Sequence, residues 1–308
     1  MSQHDHSKHT TDRLWAHVTT VSGKTAVVTG AGSGIGRALT YELARRGASV
    51  AISDIDEIGL ADTAKQVRII GSRVHEQRLD VTDRAAVLAY ADRVAAEFGT
   101  VHLIFNNAGI AFTGDIADMT FEQIERVMNV DFWGVVNGTK AFLPHLIASG
   151  DGHVVNISSI FGLFAVPGQG AYNAAKFAVR GFTEALRQEM IAAGHPVKVT
   201  CVHPGGIKTS IARNAGAVEG HDAGALADFF DKKLAKTSAD AAAKSILRSV
   251  SVNAPRALVG YDAKFLDLLV RLLGSRYQRV LALGTKKVQP APRPADGAQP
   301  TAERRVSA

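Results

Sequence analysis

Short runs rich in β-branched residues alternate along this chain with longer Ala-, Leu- and Arg-rich stretches whose apolar residues recur at helical spacing. The runs predict β-strands over residues 25–29, 48–53, 73–79, 102–106, 153–158, 197–202 and 256–260. The stretches predict helices over residues 35–46, 57–69, 83–98, 120–149, 172–193 and 238–250. Such alternation requires right-handed crossovers between parallel strands. We therefore predict an α/β fold: one doubly wound parallel sheet of about seven strands, with helices on both faces.

The composition is that of a soluble globular protein with a sizeable core, because 46% of the 308 residues are hydrophobic and 21% are charged. The single cysteine, Cys201, excludes an internal disulfide and a cysteine-based metal cluster. No secretory signal is recognised, and no apolar run approaches the roughly 18 residues that a membrane span needs. We expect a cytoplasmic protein with no membrane span.

The two ends of the chain differ from its centre. Residues 1–20 are polar and His-rich, which predicts a disordered tail. The alternative is weak metal binding by His4, His6 and His9. We favour the disordered tail and expect no metal site. Residues 209–236 interrupt the alternation with an Ala- and Gly-rich stretch, which predicts a lid over the substrate.

Residues 261–284 predict an amphipathic helix, from Lys264 to Leu283, that packs on its own domain or on a second subunit, with a membrane surface as the alternative. Residues 285–308 are basic and Pro/Ala-rich and predict a second disordered tail. From Arg271 onward the chain carries eight Lys/Arg and two Asp/Glu, which accounts for the whole net charge of +6. Peripheral membrane contact is therefore an option, whereas a nucleic-acid-binding domain is not indicated.

A glycine-rich turn joins the first predicted strand to the first predicted helix: Thr29-Gly30-Ala31-Gly32-Ser33-Gly34-Ile35-Gly36. Glycines there allow a tight turn and close approach of the backbone to a pyrophosphate, and the helix N-terminus supplies free N–H groups. The glycine spacing is T-G-x-x-x-G-x-G, through Gly30, Gly34 and Gly36. The segment predicts a dinucleotide-binding site.

Asp54 lies at the end of the second predicted strand, where an acidic side chain accepts the hydroxyls of the adenosine ribose. A carboxylate there would repel the extra phosphate of NADP by roughly 1–4 kcal/mol. Ser33 stands where a phosphate-binding Arg or Lys could be. Both residues favour NAD over NADP; Asp56 is a rival for the same role, and helix capping is the alternative role for Asp54.

Tyr172 and Lys176 are four residues apart on a predicted helix and therefore share one face. A phenol with a pKa of about 10 becomes a base near neutrality only if its anion is stabilised by roughly 4 kcal/mol. A lysine ammonium and the positive ring of an oxidised nicotinamide are suitable sources. Ser159, at the end of the fifth predicted strand, could hydrogen-bond the substrate oxygen.

With these motifs the chain resembles the short-chain dehydrogenase/reductase family, in its single-domain subclass, over about residues 20–260. The resemblance implies that residues 21–260 form a catalytic and dinucleotide-binding domain of Rossmann type. The resemblance rests on TGAGSGIG at 29–36, LDV at 79–81, NNAG at 106–109, NISS at 156–159, YNAAK at 172–176 and HPGGIKT at 203–209.

The resemblance implies a site for each part of the reaction. Ser159, Tyr172 and Lys176 would be catalytic, and Tyr172 and Lys176 would also contact the cofactor, the lysine through the nicotinamide ribose. Asp80 and Val81 would contact the adenine. The segment Asn106, Asn107, Ala108 and Gly109 would pass behind the adenosine ribose. The remaining implied cofactor-binding residues are Gly30, Ser33, Gly34, Ile35, Gly36, Asp54, Pro204, Gly205, Ile207 and Thr209.

One position departs from the family pattern. The family has an Asn in the middle of the helix between the fourth and fifth strands, where it holds a water linked to the active-site lysine. This chain has Asp131 at that position, in Asn129-Val130-Asp131-Phe132-Trp133-Gly134. An ionised Asp accepts hydrogen bonds but cannot donate them, and it adds negative charge near Lys176.

The resulting expectation is an oxidoreductase that moves a hydride between NAD and a hydrophobic secondary alcohol or ketone. Apolar residues at the predicted pocket favour such a substrate over a charged one; the alternative is that they belong to the core or to a subunit interface. They are Phe112, Phe161, Leu163, Phe164, Val166, Phe229 and Phe230. The cations among these segments are Lys208 and Arg213, near the start of the lid. We expect a homo-oligomer, either a dimer or a homotetramer. A non-catalytic NAD-sensing regulator is the alternative, and the glycine spacing disfavours the sugar-nucleotide epimerase branch.

Overall fold

The computed structural model describes residues 20–209, 211, 215–218 and 235–285. The predicted N-terminal tail, most of the predicted lid and the basic tail beyond Thr285 lie outside these residues, as do Arg213, Phe229 and Phe230. In the described part of the chain, no helix is both long and apolar enough to cross a membrane.

Seven parallel strands form the central sheet: β1 Thr25–Thr29, β2 Ser49–Asp54, β3 Val74–Arg78, β4 Leu103–Asn106, β5 Gly152–Ile157, β6 Val197–Pro204 and β7 Arg256–Val259. Their spatial order is β7-β6-β5-β4-β1-β2-β3. Because β1 lies between β2 and β4, the direction of strand addition reverses beside β1, and a crevice opens there at the carboxyl ends. The predicted doubly wound fold is confirmed.

Helices cover both faces of the sheet: α1 Gly34–Arg45, α2 Glu57–Ile70, α3 Arg84–Phe98, α4 Phe121–Met128, α5 Gly134–Ala148, α6 Gly170–Ala192 and α7 Ala239–Ser251. Successive side chains of a strand point to opposite faces, so each strand contributes to two cores. Val28 packs with α1, α2 and α7 on one face. Val27 packs with α3, α5 and α6 on the other.

The predicted helix over residues 120–149 is interrupted at its centre. A π-helical turn, Asn129–Trp133, lies between α4 and α5 and contains Asp131. Such a turn inserts an extra residue into the helix and is common at functional sites. The apolar periodicity on either side does not reveal it, because the helix axis continues through the turn.

The C-terminal segment forms two helices where the sequence predicts one. They are α8 Tyr261–Leu273 and α9 Tyr277–Thr285, separated by a short 3₁₀ turn. Gly274 follows α8 with a φ of +53°, a conformation that ends a helix and that glycine adopts without strain.

Gly138 of α5 provides a test of how closely the helices approach the sheet. A Cβ at this position would overlap the buried side-chain oxygen of Asn106 at the end of β4. Gly138→Ala should therefore lower the free energy of unfolding by about 1–3 kcal/mol, measured by urea denaturation.

Gly181→Ala in α6 is the matched control, because a Cβ there would meet nothing within 4 Å. This variant should gain about 0.5–1 kcal/mol from the better helix propensity of alanine. If Gly138→Ala also stabilised the protein, the close packing of α5 on Asn106 would be wrong.

Candidate active site

The glycine turn between β1 and α1 leaves no room for side chains at Gly30 and Gly36. Gly30 has a φ of +66°, and a Cβ there would lie 2.8 Å from the Cα of Ala108. A Cβ on Gly36 would overlap the carbonyl oxygen of Gly30. The turn therefore presents bare backbone at the N-terminus of α1, where N–H groups and the helix dipole favour an anion.

Thr29 joins the two strands that border the crevice. Its Oγ1 accepts hydrogen bonds from the backbone N–H groups of Asn107, at 3.0 Å, and Ala108, at 3.1 Å. The side-chain amide of Asn107 donates in return to the carbonyl oxygen of Thr29, at 3.0 Å. The segment after β4 is thereby held directly beside the glycine turn, as the family resemblance requires.

Asp54 lies at the carboxyl end of β2 and faces the glycine turn. Its Oδ2 accepts a hydrogen bond from the N–H of Gly32, at 2.7 Å, and its Oδ1 accepts one from the N–H of Asp56, at 2.9 Å. Asp56, the rival, is the N-cap of α2, and its carboxylate accepts from the N–H of Gly59. The structure therefore places Asp54, and not Asp56, at the edge of the crevice.

Arg37 approaches the glycine turn from behind. Its guanidinium donates to the carbonyl oxygen of Gly32, to the carbonyl oxygen of Gly59 at 3.0 Å and to Oγ1 of Thr63 at 3.0 Å. These bonds hold the cation against α2.

The segment after β3 presents Asp80, which is exposed and whose Oδ1 accepts from the N–H of Thr82 at 2.9 Å and from its hydroxyl at 2.8 Å. The adjacent Val81 is buried against Gly134, the first residue of α5.

Lys176 of α6 and Asp131 of the π-helical turn form a buried ion pair. The lysine Nζ lies 3.0 Å from Oδ2 of Asp131, and both side chains are at most 4% exposed. Oδ1 of Asp131 accepts from the N–H of Ile110 at 2.8 Å, and Nζ of Lys176 also donates to the carbonyl oxygen of Ile157 at 3.3 Å. Asp131 thus contacts the lysine directly, in the place where the family pattern has an Asn and a water.

Tyr172 stands one helical turn before Lys176. The lysine Nζ is 5.4 Å from the centre of the Tyr172 ring. The Ser159 side chain lies close enough to the phenol to lower its pKa, and its Oγ accepts a hydrogen bond from the N–H of Phe161 at 3.1 Å. The Phe161 ring packs edge-on against the Tyr172 ring, with centroids 6.3 Å apart. The predicted trio is therefore assembled at the carboxyl edge of the sheet.

Four opposing effects set the pKa of Tyr172. Burial raises it, the Lys176 ammonium lowers it, the Asp131 carboxylate raises it and Ser159 lowers it, so that the pKa lies above its ordinary value. Burial lowers the pKa of Lys176, but the attraction of Asp131 and Tyr172 outweighs burial and the pKa is raised. The lysine is therefore charged at neutral pH, and the protein's own residues leave the phenol protonated. The lowered tyrosine pKa that the motif suggests is not a property of these side chains alone.

The segment after β6 carries Pro204, Gly205, Ile207 and Thr209, the residues assigned by resemblance to the nicotinamide. Thr209 lies against the glycine turn, because a Cβ on Gly34 would be 3.2 Å from its side chain. His203, at the end of β6, is buried with Nδ1 2.8 Å from the carbonyl oxygen of Ser159. The end of β6 and the segment after β5 are therefore fixed to each other.

Asp262 is a residue that the motifs do not indicate. It belongs to the first turn of α8, and its Oδ2 accepts a hydrogen bond from the N–H of Gly206 at 2.6 Å. An Asp in the first turn of a helix is visible in the sequence, but a contact that spans 56 residues is not. Asp262 holds the backbone that follows Pro204.

Two predicted positions have other surroundings than expected. Asn106 turns away from the crevice, and its amide donates to Thr139 at 3.0 Å and to Asn156 at 2.8 Å in the interior. Phe164, a predicted pocket wall, is 2% exposed and packs with Leu163 in the cluster beneath α8 and α9. Phe112 and Phe161 do lie beside Tyr172.

These features fit a dinucleotide. The bare backbone at Gly30 and Gly36, the helix N-terminus beside them and the carboxylate of Asp54 at the next strand end match a pyrophosphate followed by a ribose.

The family model for short chain dehydrogenases matches residues 24–220. The chain belongs to the short-chain dehydrogenase/reductase family. It is an oxidoreductase of that family, with a Rossmann-type NAD-binding fold.

Individual relatives agree with this assignment. SadH of Mycobacterium tuberculosis, an inferred oxidoreductase, is 61% identical over 268 residues, which cover 87% of this chain and 97% of SadH. Estradiol 17-beta-dehydrogenase 11 of Homo sapiens is 36% identical over 195 residues, covering 63% of this chain and 65% of that protein. A crystal structure of a short chain dehydrogenase/reductase from Burkholderia phymatum in complex with NAD has a TM-score of 0.78 and 29% identity, covering 84% of this chain and 97% of that one.

Proposed function

We propose that this oxidoreductase transfers a hydride between NAD and a hydrophobic secondary alcohol or ketone, with Tyr172 as general acid and base. The observation that carries the proposal is the assembly of Ser159, Tyr172 and Lys176 at the crevice beside the glycine turn. A bound nicotinamide would supply or accept the hydride.

The chain's own residues handle the proton. In carbonyl reduction, Ser159 donates a hydrogen bond to the substrate oxygen and Tyr172 gives its proton to that oxygen. The raised pKa of Tyr172 keeps this proton on the phenol at neutral pH. The Lys176 ammonium, kept charged by Asp131, then stabilises the phenolate that remains. Alcohol oxidation uses the same groups in reverse.

Two contacts support NAD as the cofactor. The Asp54 carboxylate is fixed at the edge of the crevice, where it would accept ribose hydroxyls and repel a phosphate. Arg37, a candidate for neutralising such a phosphate, already donates to three acceptors, one in the turn and two on α2.

An apolar substrate is supported by the rings around Tyr172. Phe161 meets its edge, and Tyr172 packs on the cluster that contains Phe112 and Val218. One relative, 36% identical, carries estradiol in its name. A steroid-like or lipid-derived secondary alcohol fits this environment.

We also propose a cytoplasmic homo-oligomer. Phe121 and Trp133 are exposed on the segment from α4 to the π-helical turn, and Phe177 is exposed on the neighbouring α6. Exposed aromatic side chains are typical of subunit interfaces.

The cofactor assignment predicts that NADH binds at least about tenfold more tightly than NADPH, or roughly 1.4 kcal/mol, in fluorescence titrations. Asp54→Asn removes the charge and keeps the shape, so it should bring the two dissociation constants closer together. Asp83→Asn, at the N-cap of α3, is the matched control and should leave their ratio unchanged. Equal affinities in the wild-type protein would contradict the assignment.

Asp131→Asn should move the acidic limb of the pH–rate profile for alcohol oxidation to lower pH. Oxidation requires the phenolate, and the Asp131 carboxylate raises the pKa of Tyr172, so its removal lowers that pKa. Turnover near neutral pH should be kept or raised. Asp151→Asn, a control at a carboxylate paired with Lys24 and Lys198, should leave the profile in place. A shift to higher pH would refute the assigned role of Asp131.

Tyr172→Phe should reduce turnover by about 10²–10⁴ because it deletes the proton donor, while NADH binding stays nearly unchanged. Lys176→Ala should weaken both turnover and NADH binding, since the lysine would contact the ribose as well as the phenol. Tyr261→Phe and Lys140→Ala, both at exposed positions, are the matched controls. A Tyr172→Phe protein with more than about a tenth of wild-type turnover would contradict the mechanism.

A further inference from the structure

The inner face of the C-terminal helices α8 and α9 fixes their orientation. Leu266, Val270 and Tyr277 pack on the cluster formed by Ile160, Phe164 and their neighbours. The Tyr277 hydroxyl accepts a hydrogen bond from the N–H of Ala165 at 3.1 Å. The opposite face of the two helices must therefore point away from the domain.

That outer face carries a row of large apolar side chains. Four of them lie on α8 at spacings of four, three and four residues, which places them on one stripe of the helix. Two further large apolar side chains are exposed on α9, and the exposed fractions are Tyr261 91%, Phe265 65%, Leu268 57%, Leu272 76%, Val280 56% and Leu283 67%. Large exposed apolar surfaces mark interaction sites.

The charged residues beside this row are cationic. Lys264 and Arg271 of α8, Arg276 of the 3₁₀ turn and Arg279 of α9 are exposed. The two acidic residues of these helices are engaged elsewhere: Asp262 accepts from Gly206, and the buried Asp267 pairs with Arg271 at 3.0 Å. The sequence continues with Lys286 and Lys287. The complementary partner is therefore apolar and anionic at once.

A second copy of this chain does not meet that requirement. In a two-fold symmetric contact the same patch lies on both sides, so cations would face cations across the interface. An anionic bilayer offers acyl chains beneath a layer of phosphates. Interfacial helices with one apolar face and flanking Lys and Arg bind there.

We propose that the outer face of α8 and α9 docks on an anionic membrane surface. The row from Tyr261 to Leu283 enters the boundary between headgroups and acyl chains. Lys264, Arg276 and Arg279 contact the lipid phosphates.

Docking would place the candidate active site next to the bilayer. The same two helices contact the segment that follows Ser159 and, through Asp262, the backbone that follows Pro204. A substrate dissolved in the membrane would then have a short path to Tyr172. This consequence rests on the proposed function, whereas the docking itself does not.

The test is flotation of the full chain with vesicles of phosphatidylcholine alone or with about 30% phosphatidylglycerol. We expect binding to the anionic vesicles, at least about tenfold weaker binding to the neutral ones, and release in about 1 M salt, which screens the charges.

Two variants separate the apolar and the charged contributions. Phe265→Ser/Leu268→Ser/Leu272→Ser and Lys264→Gln/Arg276→Gln/Arg279→Gln should each weaken binding to anionic vesicles by at least about tenfold. Matched controls are Ile58→Ser/Ile69→Ser/Leu88→Ser and Lys65→Gln/Arg93→Gln/Lys140→Gln, at exposed positions on other helices, which should bind like the wild type. Thermal melting and NADH titration of each variant establish that it is folded.

Three outcomes would overturn the proposal. One is the absence of binding to either kind of vesicle. Another is wild-type binding by both helix variants, which would assign the contact to the tail beyond Thr285. The third combines two results: the wild-type protein binds no vesicle, and the apolar variant loses oligomers that the wild type forms, measured by sedimentation. That outcome would assign the face to a second copy of the chain. Failure of the vesicle test leaves the proposed hydride transfer intact, since that is measured on soluble substrate.

Discussion

Lys176 and Asp131 form an ion pair from which water is excluded, and the arrangement of the candidate site depends on it. Transfer of two charges into the interior costs several kcal/mol unless they contact each other and their remaining hydrogen-bonding groups are satisfied. The pair therefore fixes three segments relative to one another: α6, the π-helical turn and the backbone at Ile110. The π-helical turn supplies the carboxylate at the required place within an otherwise regular helix. The same carboxylate keeps the lysine charged and opposes ionisation of Tyr172.

The crevice beside this pair is built from backbone and not from large side chains. The glycine turn can approach the segment after β4 because Gly30 and Gly36 lack a Cβ, and Thr29 accepts hydrogen bonds from that segment. Rigid backbone N–H groups around a crevice need no reorganisation when an anion enters. Asp54 adds a single negative charge at one edge, and in the proposed function this charge is what distinguishes NAD from NADP.

The C-terminal helices connect the crevice to the surface of the molecule. Asp262 and Tyr277 reach back to the backbone at Gly206 and Ala165, at sequence separations of 56 and 112 residues. These backbone segments belong to the loops that follow β5 and β6 at the carboxyl edge of the sheet. The outer face of α8 and α9 is therefore on the same two helices that contact these loops.

Local periodicity and glycine placement were enough to determine the sheet, six of its flanking helical segments and the position of the glycine turn, because these depend on patterns within about 15 residues. The family resemblance added the expectation that Ser159, Tyr172 and Lys176 meet. Periodicity could not reveal the π-helical turn at Asp131 or the direct contact of that carboxylate with Lys176, since both depend on how α6 packs against a distant segment. For the same reason the sequence gives no sign that Asn106 faces the interior, that Arg37 is engaged behind the turn, or that burial raises the pKa of Tyr172. The burial of a charge and the partner it meets are properties of the packed chain, so only the tertiary structure decided them.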